Sequence, residues 1–392
     1  MFHDITRAFP PKANDSMTET RNIESSDPSK LQPSLPAKLY SDPAVFQEEL
    51  DKIWYRQWLY VGRADSISNQ GDYRLTTVGN QTIIVTRNQE DRVCAFHNTC
   101  RHRGSALCLD QQGHFKQGRI TCPYHRWSYS LEGALLNTPN LDISDEQHHF
   151  GLYPVQCQSW AGNIYINLDA NSSLKLGETA DPDFTVLDNW PLEKLKLGHT
   201  HQFELACNWK IFWENYLECY HCPGIHPDLC KLVPLYKAAL ATDRIDPGAK
   251  LADAVAPGIE SWTTTGKAIS LPFEGLSEDE ANAGHTFMEL YPNQYIVAHS
   301  DYVRQVSVSP LSAERTRITA EWLFSAEAMR DLDFDPSPAI DFSKQVLAED
   351  SWVNELNQRG ITALPHHNGY LAPVEADLAL FHEMYRNWMK AT

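Results

Sequence analysis

Two changes of texture along the chain predict an α+β protein built as an all-β domain followed by a mixed domain. From Trp58 to Asp169, short β-type runs recur at close intervals with turn residues between them. Beyond Trp190, helical and strand periods alternate, as expected for a sheet covered by long helices. A polar, Ser/Pro/Asp-containing stretch from Asn171 to Asp183 reads as the linker between the two.

Taken in order, the first residues carry Asn14, Asp15, Ser16, Ser25, Ser26, Asp27 and several prolines, too polar to pack, so 1–38 is expected to be a flexible arm. Ser41-Asp42-Pro43 places an N-cap before proline. Val45, Phe46, Leu50, Ile53 and Trp54 then follow at helical spacing. Strands are expected at 71–78, 82–87 and 163–168, giving a first domain over 39–175 that includes the flanking helix. In the second domain, 185–392, helices are expected at 208–220 and 341–359, with Phe342, Val346, Leu347, Trp352, Val353 and Leu356 as core candidates. Strands are expected at 285–299 and 304–324.

Composition narrows the function. The 392 residues suffice for a sizeable core, and a formal charge of −18 argues against nucleic acid or an anionic membrane surface as partner. No apolar run approaches the ~20 residues of a membrane-spanning helix, and 1–30 lacks the apolar stretch of a secretory signal. Nine cysteines, an odd number in a long chain, do not read as a disulfide framework. The expectation is a soluble cytoplasmic protein whose cysteines are thiols or metal ligands.

Two Cys/His pairs lie in the β-rich domain: Cys100-Arg101-His102 and Cys122-Pro123-Tyr124-His125. Two thiolates and two imidazoles form the ligand set of a Rieske [2Fe-2S] cluster. Two histidines there replace two cysteines on one iron and raise the potential. Zinc also accepts Cys₂His₂, but its fingers pair C-x₂₋₄-C with H-x₃₋₅-H, whereas here each pair is mixed. Cys94, Cys108, Cys157, Cys207, Cys219, Cys222 and Cys230 read as small buried side chains or inert thiols. His97 and His114 lack the motif spacing and read as structural or surface residues.

A second constellation follows in 208–226. Glu214, Glu218 and His221 stand at i, i+4 and i+7, on one face of a continuous helix. Pro223-Gly224 is expected to end that helix and let His226 swing back beside His221. Two histidines and one carboxylate make the facial triad of non-haem Fe(II) oxygenases, which leaves coordination positions open. Asp350, on a mostly apolar helix, is the carboxylate expected to complete it; its neighbour Glu349 points elsewhere and is expected to be solvated.

These residues together resemble the α subunit of Rieske non-haem iron oxygenases, the ring-hydroxylating superfamily, from about Tyr40 onward. The resemblance is carried by Asn98-Thr99-Cys100-Arg101-His102-Arg103-Gly104, 122–129, Asn208-Trp209-Lys210, Glu214-Asn215-Tyr216 and 218–226. It implies a Rieske domain followed by a helix-grip catalytic domain in a head-to-tail homotrimer. It also implies that Cys100, His102, Cys122 and His125 hold the cluster, and that His221, His226 and Asp350 hold a mononuclear Fe(II). Glu218 falls where the family has an acid bridging histidines of adjacent subunits. Glu rather than Asp there, with Cys219-Tyr220-His221-Cys222-Pro223-Gly224, is similar to the branch acting on choline, glycine betaine and carnitine. Arg126 stands where Gly is commoner in the family, and the spacer between the cluster halves is slightly long.

The resemblance further implies O₂ as co-substrate and electrons from NAD(P)H through a separate flavin or iron–sulfur reductase, with or without a ferredoxin. The chain itself shows no glycine-rich dinucleotide fingerprint. Hydroxylation has three open outcomes: N- or O-demethylation, as of a quaternary ammonium compound, simple monohydroxylation, and cis-dihydroxylation of an arene. The alternative reading is an aromatic-ring dioxygenase or monooxygenase acting on an aromatic acid. Trp213, Trp262, Phe287, Tyr291, Tyr295, Trp322 and Phe324 could cage a quaternary cation, wall an arene or form core. Two other classes stay in view. A Rieske electron carrier would leave His221, His226 and Asp350 unexplained, and a zinc-bearing ligand-binding module would do no chemistry.

Overall fold

A computed structural model describes residues 32–143, 148–238 and 255–391. The chain divides into two compact units: Ile53–Gly177 with Tyr291–Asn293, and a second unit made from the segment ending at Lys52, Glu178–Leu290 and Gln294 onward.

The first unit is all-β. Its seven-stranded antiparallel sheet runs, in spatial order, Leu59–Arg63, Asn163–Asn167, Pro154–Trp160, Val93–His97, Gln81–Arg87, Asp72–Val78 and Gln112–His114. Strand Asp72–Val78 buries Tyr73 and Leu75 and leaves Asp72, Arg74 and Thr76 partly exposed, the alternation that marks a half-buried strand. A second sheet of three short strands, Arg119–Thr121, Ser128–Ser130 and Leu135–Asn137, packs Ile120, Tyr129 and Leu135 into a core with Tyr73, Leu75, Ile84 and Phe96.

The second unit carries a six-stranded antiparallel sheet ordered Ala180–Asp181, Thr286–Leu290, Gln294–Ala298, Val303–Ser312, Arg315–Phe324 and Lys196–Leu205. The expected strand at 304–324 is two strands, because Ala313-Glu314 turns the chain and Ser312 pairs Arg315. Two residues of the expected linker, Ala180–Asp181, join this sheet's edge. A 25-residue helix, Ser337–Ile361, lies over the sheet, where Trp322 Nε1–H reaches Ser343 Oγ at 3.4 Å. Strand Lys196–Leu205 and the closing helix Ala376–Lys390 are added by the structure. No described helix is long and apolar enough to cross a membrane.

Two sequence expectations change at the N-terminus. Most of the expected arm, 1–31, lies outside the described residues. Its end is anchored, since Gln32–Pro33 pair with Tyr370–Leu371 and Ser34 N–H bonds Gly369 O at 3.0 Å. The helix after Asp42, whose carboxylate caps Ala44 N–H, runs Pro43–Glu49 and widens into a π-type turn at Leu50–Trp54. Up to Lys52 it belongs with the second unit, not with the β domain as expected.

The reason is a buried ion pair. Lys210 Nζ sits 2.6 Å from Glu49 Oε1 with both side chains fully enclosed. Glu49 also accepts from Trp209 Nε1 and Tyr385 OH, each at 2.8 Å. Asn208 caps helix Trp209–Tyr216 through Lys210 N–H and takes a second bond from Lys210 Nζ at 2.7 Å. Next to this pair, Tyr40 OH (2.6 Å) and His382 Nε2 (2.8 Å) both meet Glu214 Oε1. Burial pulls the Lys210 ammonium below its ordinary range, and Glu49 opposes that. Replacing one member leaves the other buried and uncompensated, which costs about 3–5 kcal/mol. Lys210→Met is therefore expected to lower the urea midpoint strongly, whereas the double substitution Lys210→Met/Glu49→Leu regains most of the loss; additive losses in the two variants would contradict the pairing.

Candidate metal centres

The two Cys/His pairs sit on matching turns. Cys100 follows strand Val93–His97, and Cys122 opens the loop between Arg119–Thr121 and Ser128–Ser130. Each cysteine carbonyl accepts from the amide four residues on, Gly104 at 2.9 Å and Arg126 at 3.1 Å. Both of those residues are left-handed, Gly104 at φ +76° and Arg126 at φ +64°. A side chain in that region costs about 1–2 kcal/mol, which explains why Gly suits the position of Arg126.

The turns bury the sulfurs and leave the imidazoles outward. Cys100 and Cys122 are buried, His125 is half-buried and His102 is exposed. The two rings stand 4.7 Å apart at 80°, and Trp127 stacks on His102 at 5.0 Å. Tyr129 OH lies 3.3 Å from Cys100 Sγ and accepts from Arg101 N–H. Burial pushes the Cys100 thiol up, with Tyr129 opposing. Two enclosed sulfurs and two outward imidazoles on facing loops suit a cluster with one buried and one accessible iron.

In the second unit, helix Trp209–Tyr216 stops before Glu218, so the expected continuous face through Glu214, Glu218 and His221 does not form. Leu217 caps the helix, and the Glu218 carboxylate takes both His221 N–H (3.1 Å) and His221 Nδ1–H (2.5 Å), a local bonding pattern that competes with helix. Glu214 turns the other way, to Tyr40 and His382. Pro223 begins a new one-turn helix, Cys222–Ile225, instead of ending one, as proline does in a first helical turn. His221 precedes that turn and His226 closes it, so five residues bring both rings to one side.

There they meet Asp350 from the long helix. His221 Nε2 and His226 Nε2 are 3.2 Å apart, and Asp350 Oδ1 lies 3.4 and 2.8 Å from them. Donor atoms sharing one cation at right angles, each about 2.1 Å from it, stand about 3 Å apart, so the spacing fits a facial triad. His221, His226 and Asp350 form the group among the described residues able to hold such an ion.

The electrostatics agree. Burial disfavours charge on His221, but Asp350, Cys222 and Glu218 outweigh it and push its pKa up to about 12. His226 is raised in the same way, burial opposing and Asp350 then Glu349 prevailing. Burial opposes ionisation of Asp350 too, yet the two histidines hold it down to about 2. Three carboxylates around two imidazoles make a place for positive charge.

Glu349 departs from the sequence expectation. Only a quarter of its side chain is exposed, and its carboxylate is engaged: its Oε2 accepts from His226 Nδ1 at 2.7 Å, and Gln345 Nε2 bonds its Oε1 at 2.9 Å while also reaching Asp228. Each histidine thus has a carboxylate on Nδ1, which fixes Nε2 as the outward-facing donor. Asn215 Nδ2 stands 3.3 Å from His221 Nε2.

Beyond Asn215 an aromatic run begins. Tyr216 stacks on Tyr295 at 3.9 Å and meets Phe287 edge-on at 6.4 Å. Phe287 touches His285 (4.7 Å) and Trp262 (6.2 Å), and Trp262 contacts His285 and His299. Of the seven aromatic candidates, Trp262, Phe287 and Tyr295 join this run and Trp213 backs it at 6.2 Å from Tyr295. Trp322 and Phe324 are sheet core, Phe324 lying over Gly198 with no room for a Cβ, and Tyr291 belongs to the β unit. Tyr216, His285, His299 and Glu349 escape a sequence reading. The paired acids Glu349-Asp350 were the available signal for the last. The seven other cysteines are free thiols, none exposed, and His114 pairs with Asp72 at the surface.

Comparison with known proteins gives two domain matches: "Ring hydroxylating alpha subunit (catalytic domain)" over residues 192–391 and "Rieske [2Fe-2S] domain" over 57–148. The chain is 29% identical over 374 residues to the glycine betaine monooxygenase oxygenase subunit of Pseudomonas aeruginosa, covering 86% of this chain and 84% of that one. It is 28% identical over 365 residues to chloroplastic choline monooxygenase of Beta vulgaris, covering 88% and 75%. Its fold matches the quaternary ammonium Rieske monooxygenase CntA in complex with L-carnitine. There the TM-score is 0.69 at 23% identity, over 92% of this chain and 96% of that chain.

The buried histidines of the aromatic run set an acid limit. Burial pushes His285 down to about 3 and His299 well below its ordinary value. The unfolded chain takes up these protons near pH 6.5 and the folded chain refuses them. Stability is therefore lost as pH falls from about 6.5 toward 3, by about 1.4 kcal/mol per pH unit per histidine. Urea titrations at pH 7 and pH 5 should show a smaller acid loss in His285→Phe than in the unmodified protein; equal losses would contradict the assignment.

Proposed function

Since the chain belongs to the ring hydroxylating α-subunit family and is a Rieske non-haem iron oxygenase, we propose that it oxidises a small quaternary ammonium compound, by hydroxylation or oxidative N-demethylation. Cys100, His102, Cys122 and His125 are the proposed cluster ligands, and His221, His226 and Asp350 the proposed ligands of the mononuclear iron. The cluster supplies single electrons and the ferrous ion supplies the centre at which O₂ is reduced. The observation that carries this reading is the convergence of two Nε2 atoms and one carboxylate oxygen at the start of an aromatic run.

The chain's own residues have distinct tasks. Glu218 and Glu349 hold the Nδ1 protons of the two histidines and so keep both Nε2 atoms free to bind metal. Tyr216, Tyr295, Phe287 and Trp262 offer ring faces, which attract a trimethylammonium group and shed water from around it. The relatives' substrates, glycine betaine and choline by name, support this class. The assembly is a homotrimer in this reading, fed by a separate reductase, with Glu218 bridging a cluster histidine of one subunit to His221 of the next. Inter-subunit electron transfer in a quaternary ammonium Rieske monooxygenase of matching fold supports it.

The test begins with metal. Anaerobically reconstituted protein should hold about three irons for two acid-labile sulfides. His221→Ala should lose the third iron and keep the sulfide, and Glu349→Ala should bind that iron about 10–100-fold more weakly. With a reductase, NADH and O₂, glycine betaine or choline should yield a product one methyl lighter or one oxygen heavier. Glu218→Gln should slow that turnover with both metal sites filled. Iron content insensitive to His221→Ala, or oxidation confined to aromatic acids as diols, would overturn the reading.

A further inference from the structure

The sheet beneath the aromatic run carries a cation to which none of the roles above gives a partner. Arg304 stands on strand Val303–Ser312, directly opposite Val297 on one neighbouring strand and Trp322 on the other. Val297 in turn faces Phe287. Opposed residues of an antiparallel ladder share a face, so Phe287, Val297, Arg304 and Trp322 form one row across the sheet. That face is covered by the long helix, since Trp322 Nε1 reaches Ser343. Arg304 is therefore directed into the layer between the sheet and the helix that bears Asp350.

The side chain is 6% exposed. Among the described residues no carboxylate lies within ion-pair distance of its guanidinium, no oxygen accepts from it, and its enclosed Nε has no acceptor. Its one ring contact is Tyr295, 5.9 Å from the ring centre. Tyr295 is the ring on which Tyr216 stacks, and it lies within electrostatic reach of both Arg304 and Asp350. A buried arginine without an acid is costly to maintain, and a ring face answers only part of its charge. Its planar fork matches a carboxylate bidentately.

We propose that Arg304 binds the carboxylate of the substrate, so that the chain selects zwitterions carrying both a quaternary ammonium and a carboxylate over the corresponding alcohols. The ammonium methyl groups then lie along the Tyr216–Tyr295–Phe287 rings toward His221, His226 and Asp350. This rests on the quaternary ammonium reading for its cationic half and on Arg304 alone for its anionic half.

The experiment uses two matched pairs on iron-loaded protein, glycine betaine against choline and benzoate against benzyl alcohol, with dissociation constants read by calorimetry. In the unmodified protein the carboxylate member of whichever pair binds should be favoured at least about 30-fold, the range of a desolvated charge pair. Arg304→Gln should abolish that preference without changing the alcohol's affinity, and Arg304→Lys should restore part of it. If Arg304→Gln does not fold, the Lys variant alone decides, by a reduced preference of the same sign. Preference in the benzoate pair only would sink the quaternary ammonium reading and leave the arginine's role standing. Equal affinities within both pairs, or an unchanged preference in the variants, would overturn the proposal itself.

Discussion

A lysine enclosed without water needs an acid beside it, and at Lys210 that requirement organises the catalytic half of the molecule. Glu49 answers it from the segment before the β domain, Asn208 from the cap of the same helix, and Tyr385 steadies the acid from the closing helix. Two stretches remote in sequence are thereby tied to one helix of eight residues. A one-residue error in that helix would move everything after Tyr216. The interaction contributes little net stability compared with an apolar cluster of the same volume; its effect is on placement.

Placement matters because the residues that follow the helix are held by short-range bonds. Glu218 folds back on His221, Pro223 starts a single turn, and His226 comes round to the same side. The long helix then brings two consecutive acids that divide the work by direction, Asp350 toward the two Nε2 atoms and Glu349 behind His226. Consecutive helical residues are about 100° apart, and that divergence takes the two carboxylates to the two nitrogens of one imidazole, Glu349 to Nδ1 and Asp350 to Nε2. The β domain achieves a comparable economy with two turns of the same form, each closed by a left-handed residue four positions after its cysteine.

Much of the fold was legible because its signals are local. β-type runs bounded by turn residues marked Asp72–Val78 and Gln81–Arg87, and helical spacing marked Ser337–Ile361 with Phe342 and Leu347 in its core. Trp352 and Leu356, also expected there, are exposed because that part of the helix turns them outward. Strand Lys196–Leu205 was not legible, since one face is solvated and the other carries His199 and His201 beside its few apolar residues. The helical period runs on through Glu218 and His221, past the end of helix Trp209–Tyr216, because the stop comes from a carboxylate bonding its own neighbourhood, which periodicity does not carry. The closing helix did carry a signal, Leu378, Phe381 and Tyr385 at helical spacing.

By itself the sequence determined the chemistry on offer. Mixed Cys/His pairs, two histidines five residues apart and an acid on an apolar helix restrict the metals, because ligand type and spacing are covalent facts. Only the tertiary structure decided which acids do which work. Glu214 and Glu218, four apart, turn to opposite tasks; Glu349 serves His226; Arg304 meets no acid among the described residues. A side chain's charge is written in the sequence, but its partner is whatever the fold brings within 3 Å, and that depends on segments hundreds of residues away.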